Sequence, residues 1–172
     1  MSHDIPGIQM KDDHAKRPME ASVALQRMRK LCASREICTA DALKKIVTWG
    51  LPETDAGNII RKLQEEEFID DRRYAMAAVQ DKFKFNKWGT YRISQFLRSK
   101  GIPGEIVKEA LSGIDRESVQ ALAEKLIQAK NRSIRGGHPL QRKAKLLRYA
   151  QAKGFETEMV FGIIEKLLQS SN

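Results

Sequence analysis

Three glycines, Gly50, Gly101 and Gly154, put the chain in register with itself. Eight residues before them stand Ala42, Ile93 and Leu146, and four before stand Ile46, Leu97 and Ala150. Six after come Ala56, Val107 and Val160; thirteen after come Leu63, Ile114 and Leu167. Positions nine and ten after hold Ile59-Ile60, Ala110-Leu111 and Ile163-Ile164. All of these are apolar. Steps of three and four residues place side chains on one helix face. A glycine between two such faces ends the first helix, because it tolerates a left-handed backbone without steric cost. The unit is therefore helix, glycine turn, helix, recurring after 51 and then 53 residues.

A further amphipathic helix leads each unit, over 19–33, 71–84 and 116–130. The predicted fold is all-α: three tandem three-helix repeats at 18–69, 70–115 and 116–172, behind a disordered tail at 1–17. The tail is polar, carries Pro6 and Gly7 and shows no apolar period. Repeats of this size bury their apolar faces on immediate neighbours, so an elongated, curved helical array of right-handed type is expected. Pro52 and Pro103 follow their glycines by two residues, where a helix can start without needing an N–H. The third repeat has Glu156 there and a longer leading connection at 131–138, whose Gly136-Gly137 pair is the one candidate hinge.

Size and composition narrow the function classes. The 172 residues suffice to bury a core, and with 41% hydrophobic but 6% aromatic residues that core is aliphatic. The formal net charge is +9, an excess that attracts polyanions, so nucleic acid or a nucleoprotein surface leads the candidate partners. Cys32 and Cys38 are too few for a disulfide framework or a zinc site and read as small hydrophobes in a reducing compartment. No apolar run reaches the roughly 18 residues a membrane span requires, and no signal-peptide core opens the chain. A cytoplasmic protein is expected.

One stretch, 68–101, carries a more specific signal. Phe68-Ile69 precede Asp70-Asp71, residues suited to cap a helix because a carboxylate accepts from free backbone N–H groups. Tyr74, Ala75, Ala78, Val79 and Phe83 follow at helical steps; Lys87-Trp88-Gly89 breaks the helix. A second helix carries Ile93, Phe96 and Leu97 inward and Arg92, Arg98 and Lys100 outward before Gly101. Phe68, Ile69, Asp70, Asp71, Tyr74 and Ala75, then Gly89, Arg92-Ile93, Leu97 and Lys100-Gly101-Ile102, in this order and inside a repeat, resemble the RecX family of recombinase regulators. The resemblance covers repeats two and three reasonably and repeat one weakly. Members often carry an Arg-Glu-His-Ser-like run in repeat one, whereas here Arg35-Glu36 is followed by Ile37-Cys38.

No catalytic constellation is visible. The three histidines, His3, His14 and His138, stand apart, and no GxxxxGK[ST] phosphate loop occurs. Glu65-Glu66-Glu67 with Asp70 and Asp71 could in principle hold a hard cation. A capping role fits them better, because a helix boundary lacks the turn of a metal loop. Neither an enzyme, a cofactor nor a metal is expected.

Binding features are plainer. Between Lys125 and Lys153 no Asp or Glu occurs, while Lys130, Arg132, Arg135, Arg142, Lys143, Lys145 and Arg148 do. Arg142, Lys145 and Arg148 recur at three-residue steps and share a helix face opposite Leu146-Leu147 and Ala150; a one-signed face tracks phosphates or an acidic protein groove. Upstream, Lys82, Lys84, Lys87 and Arg92 interleave with Phe83, Phe85, Trp88 and Tyr91, the pairing that single-stranded nucleic acid binding uses. Phe83 fits the core stripe instead, Trp49 reads as a repeat-interface anchor, and for Trp88 and Tyr91 contact and packing both stay open.

What the RecX resemblance implies is a non-enzymatic negative regulator. It would lodge along the groove of the RecA–single-stranded-DNA filament and inhibit ATPase activity, strand exchange and filament extension. Lys84, Lys87, Trp88, Tyr91, Arg92, Arg98, Lys100, Arg132, Arg135, Arg142, Lys143, Lys145 and Arg148 are the candidate contacts to filament or nucleic acid, single-stranded first and double-stranded second. The alternative is a sequence-independent DNA-binding protein acting without a recombinase. A monomer is expected, since no heptad seam suggests a dimer.

Overall fold

The computed structural model describes residues 19–136 and 138–169, and these form nine α-helices and no strand. The first triplet is α1 (Ala21–Ser34), α2 (Thr39–Thr48) and α3 (Glu53–Glu65); the second is α4 (Asp71–Lys84), α5 (Thr90–Ser99) and α6 (Gly104–Ser112). The third is α7 (Arg116–Ser133), α8 (Pro139–Lys153) and α9 (Thr157–Gln169). Each triplet packs chiefly on itself. The expected tail at 1–17, with His3 and His14, lies outside the described residues. No described helix is long and apolar enough to cross a membrane.

The glycine register folds as the sequence predicts. Gly50, Gly101 and Gly154 have φ of 92°, 74° and 89°, and each donates its N–H at 2.9 Å to the carbonyl three residues back. The residue after each glycine, Leu51, Ile102 or Phe155, is also buried. That apolar position recurs in all three repeats and belongs to the register, though it precedes the next helix. The central and following helices bury Ala42, Ile46, Ile59 and Leu63 in the first core, and Ile93, Leu97 and Val107 in the second. The third core holds Leu146, Ala150, Val160 and Ile164. The leading helix of repeat three runs to Ser133 rather than 130, and α8 starts at Pro139; of the expected Gly136-Gly137 hinge, Gly137 lies outside the described residues.

Neighbouring repeats interlock through the central helices. The N-terminus of α2 meets the glycine turn that ends α5: Lys100 Nζ donates to Asp41 at 2.8 Å, and a methyl group at Gly101 would sit 3.8 Å from Ala40 Cβ. The N-terminus of α5 likewise meets the turn that ends α8. Gly89 N–H donates to the Lys153 carbonyl at 2.8 Å and Tyr91 N–H to the Gly154 carbonyl at 3.2 Å. Free N–H groups at one helix start thereby satisfy free carbonyls at another helix end, with opposite dipole ends apposed. Helices α8, α5 and α2 thus form a head-to-tail line. Apolar contacts bridge the same junctions: Cys38, just before α2, is buried in the second core, and Phe83 and Ile114 touch both the second and third.

The two aspartates predicted as caps divide between two helices. Asp70 caps α4, accepting from Arg72 N at 2.8 Å and Arg73 N at 3.0 Å. Asp71 is the first residue of α4 and reaches back to repeat one, where its Oδ1 accepts from Thr39 N at 2.7 Å. It therefore caps α2, whose own N-cap residue Cys38 supplies no side-chain bond. Beside it, Glu36 accepts from Arg73 Nε at 2.6 Å, which gives half of the Arg35-Glu36 pair a junction role.

Candidate binding surface

The candidate cations divide by whether a partner inside the molecule holds them. In repeat two, Arg92 Nη1 donates to the Ala152 carbonyl at 2.9 Å, and its guanidinium lies 4.2 Å from the Trp88 ring centre. Lys82 sits 5.7 Å from the same ring, which meets Phe96 edge-on at 5.9 Å. Trp88 is therefore a half-buried residue that packs on Phe96 and has two cations near its ring. Lys100 is held by Asp41. Lys84, Lys87 and Arg98 are exposed, as is Tyr91 at 64%.

Phe85 is 79% exposed. Sequence reasoning placed it among the interleaved aromatics without assigning it a face. The signal available was its position at the end of α4, off the stripe that buries Ala75 and Val79. Nearby Lys87 has φ of 57°, a left-handed conformation that costs a side-chain-bearing residue roughly 1–2 kcal/mol.

In repeat three, Arg142 donates to Asn131 Oδ1 at 3.2 Å and to the Ile134 carbonyl at 3.3 Å, tying α8 to the connection before it. Lys143 pairs with Glu165 at 3.2 Å and lies 5.4 Å from the Phe161 ring centre. The shared face predicted for Arg142, Lys145 and Arg148 is thus split: Arg142 is half-buried and structural, while Lys145 and Arg148 are exposed. The latter two line a cleft of about 480 Å³ together with Lys130, Ser133, Ile134 and Arg135. No carboxylate lines it. Arg132 is exposed but outside this lining.

The second and third repeats match the family models described as the RecX second three-helix domain, over residues 70–111, and the RecX third three-helix domain, over 117–164. The chain belongs to the RecX family. The regulatory protein RecX of Clostridium botulinum (strain Alaska E43 / Type E3) is 31% identical over 121 residues, covering 69% of this chain. The aligned region spans 56% of that relative's length. The regulatory protein RecX of Chlorobaculum tepidum is 27% identical over 148 residues, covering 86% of this chain and 89% of the relative. A crystal structure of regulatory protein RecX superposes with a TM-score of 0.78 at 28% identity, over 85% of this chain and 71% of that one. RecX from Lactobacillus salivarius gives 0.74 at 21% identity, over 86% and 96%, a likeness of fold alone.

Within this RecX chain the Asp70 cap opens the second matched domain, and the basic cleft lies wholly inside the third. No cluster of three His, Cys, Asp or Glu able to hold a metal occurs among the described residues. Burial pushes the thiols of Cys32 and Cys38 up, away from the reactive thiolate form. Burial, helped by the nearby Cys38 and Asp41, also raises the Tyr74 phenol to about 12.

Proposed function

We propose that this RecX-family protein is a negative regulator of a RecA-type recombinase. It binds the recombinase–single-stranded-DNA filament along its groove and inhibits ATP hydrolysis, strand exchange and filament extension. Membership of a family of regulatory proteins is the observation that carries this reading. The charge supports it: Lys84, Lys87, Arg98, Arg132, Arg135, Lys145 and Arg148 are exposed cations, suited to a nucleoprotein surface. Arg92 and Lys100 have partners in the neighbouring repeat and brace the junctions, Arg142 and Lys143 have partners inside repeat three and brace that repeat, and Tyr91 and Phe85 stand exposed in repeat two. The protein works as a cytoplasmic monomer, by occupancy and without catalysis.

Co-sedimentation with RecA filaments assembled on single-stranded DNA tests this. The full chain pellets with the filament and does so less as salt rises, since exposed charge pairs are screened. The Lys84→Glu/Lys87→Glu/Arg98→Glu variant pellets at least ten-fold less well. Equal pelleting of variant and wild type would remove these residues from the interface; no pelleting of the wild type would overturn filament binding itself.

A further inference from the structure

The two junctions between repeats are built differently. Between repeats two and three the backbone takes part throughout. Gly89 N–H donates to the Lys153 carbonyl, Tyr91 N–H to the Gly154 carbonyl and the Arg92 guanidinium to the Ala152 carbonyl. Ile114, in the connection between α6 and α7, packs on both the second and the third core, as does Phe83. Between repeats one and two, no backbone-to-backbone hydrogen bond crosses among the described residues. Side chains hold this junction instead: Asp71 accepts from Thr39 N at 2.7 Å, Asp41 from Lys100 at 2.8 Å and Glu36 from Arg73 at 2.6 Å. Phe68 and Ile69, in the connection between α3 and α4, pack on the first core.

The repeat register gives the reason. Cys38 and Gly89 hold the same place, twelve residues before Gly50 and Gly101. Their backbones nearly agree, with φ −78° and ψ 158° at Cys38 and φ −75° and ψ 164° at Gly89. A methyl group on Gly89 would fall 2.3 Å from the Gly154 carbonyl oxygen, so the approach made there is closed to any residue with a side chain. Cys38 carries one. At the first junction a methyl group on Gly101 would meet Ala40 Cβ at 3.8 Å, an ordinary van der Waals distance. The Cys38 thiol fills that place, buried in the second core. Arg73 and Lys100 keep 44% and 28% of their side chains exposed, and such ion pairs are weak and screened by salt.

We infer that the first junction is a latch and the second a fixed joint. Repeat one swings away from a rigid body made of repeats two and three, while all three repeats stay folded. Opening breaks the Asp41–Lys100 and Glu36–Arg73 pairs and uncovers the Cys38 thiol. The pivot is the connection 66–70, where Glu67 has φ of 58°. Every exposed candidate cation, from Lys84 to Arg148, lies in the rigid body, so the arm moves without distorting that surface. The inference concerns the mechanics of the fold and does not rest on filament binding.

The test labels the full chain with excess N-ethylmaleimide, in a Cys32→Ala background that leaves Cys38 as the one thiol. The reagent is uncharged, so salt does not change its attraction to a chain of net charge +9. Screening that net charge by itself favours the compact form, whereas screening the latch opens it. Raising salt from about 0.05 to about 1 M, where the screening length falls to about 3 Å, is expected to speed labelling about five-fold. Arg73→Gln/Lys100→Gln at low salt should label about ten-fold faster. Loss of nearby cations by itself would slow a thiol by raising its pKa, so the direction of the change is diagnostic. The salt series carries the test if that variant does not fold. Residue-resolved amide exchange runs in parallel. Ile46 and Leu63, in the first core, and Gly89 and Tyr91, bonded across the second junction, should keep their rates. Labelling indifferent to both salt and variant would overturn the latch. Faster exchange at Ile46 and Leu63 in step with labelling would show repeat one unfolding instead of swinging. Faster exchange at Gly89 and Tyr91 would show both junctions opening. Either result also overturns the inference.

Discussion

Gly89 and Gly154 lie in backbone contact across the junction of repeats two and three. A methyl group on Gly89 would fall 2.3 Å from the Gly154 carbonyl oxygen, and one on Gly154 would fall 2.4 Å from Arg92 Cβ. Both glycines are buried. The paired absence of side chains is what lets the N-terminus of α5 approach the end of α8 closely enough for the Gly89–Lys153 and Tyr91–Gly154 hydrogen bonds.

Gly89→Ala is expected to cost about 2–3 kcal/mol, as overpacking of a close contact does. Gly154→Ala should cost more, because its φ of 89° adds left-handed strain to the clash. Gly57 is in the middle of α3 with nothing within 4 Å of its missing methyl group. Gly57→Ala should therefore stabilise by about 0.5–1 kcal/mol through helix propensity. Urea denaturation of the three variants checks both the sign and the order.

Asp71→Ala removes the acceptor for the half-buried Thr39 N–H, and about 1–2 kcal/mol is expected from leaving that donor unpaired. Asp71→Asn keeps an oxygen there and should recover part of the loss. Hydrogen exchange distinguishes the cap of α2 from a cap of α4: Asp71→Ala should speed exchange at Thr39, whereas Asp70→Ala should speed it at Arg72 and Arg73.

The Tyr74 phenol, raised to about 12, holds its proton longer in the folded than in the unfolded chain. Its stabilising contribution is complete below about pH 10 and is lost between about pH 10 and 12. Absorbance at 295 nm should show a phenolate transition near 12 that is missing from Tyr74→Phe, and that variant should keep more of its stability as pH rises through this window. A tyrosine transition unchanged by Tyr74→Phe would refute the assignment.

Lys87 combines a left-handed backbone with an exposed cation. Lys87→Gly relieves the strain, and after allowance for glycine's greater chain entropy a gain of about 0.5–1 kcal/mol is expected. The same change removes a candidate contact, so filament binding should weaken while the melting temperature rises. Opposite movement of the two readouts separates a functional role from a structural one. Unchanged binding would leave Lys87 outside the contact surface.

The fold was legible because a repeat states its own pattern three times. Gly50, Gly101 and Gly154 announce their turns, and spacing from them recovers the core face of the two helices that flank each turn. The junctions were less visible, since their partners are distant in sequence: Arg92 and Ala152 are 60 residues apart, and Gly89 stands outside the glycine register. Charge runs name cations but not their neighbours. Lys145 and Arg142 look alike in sequence, yet the one is exposed at a cleft and the other holds the Ile134 carbonyl.

Single-stranded-DNA-dependent ATP hydrolysis by the cognate RecA, titrated with this protein at physiological salt, tests the regulatory function most directly. Inhibition at well below one protein per recombinase subunit is the predicted result, as expected of a protein that limits filament growth. No inhibition at excess protein, with DNA binding intact, would contradict it and leave a sequence-independent DNA-binding protein.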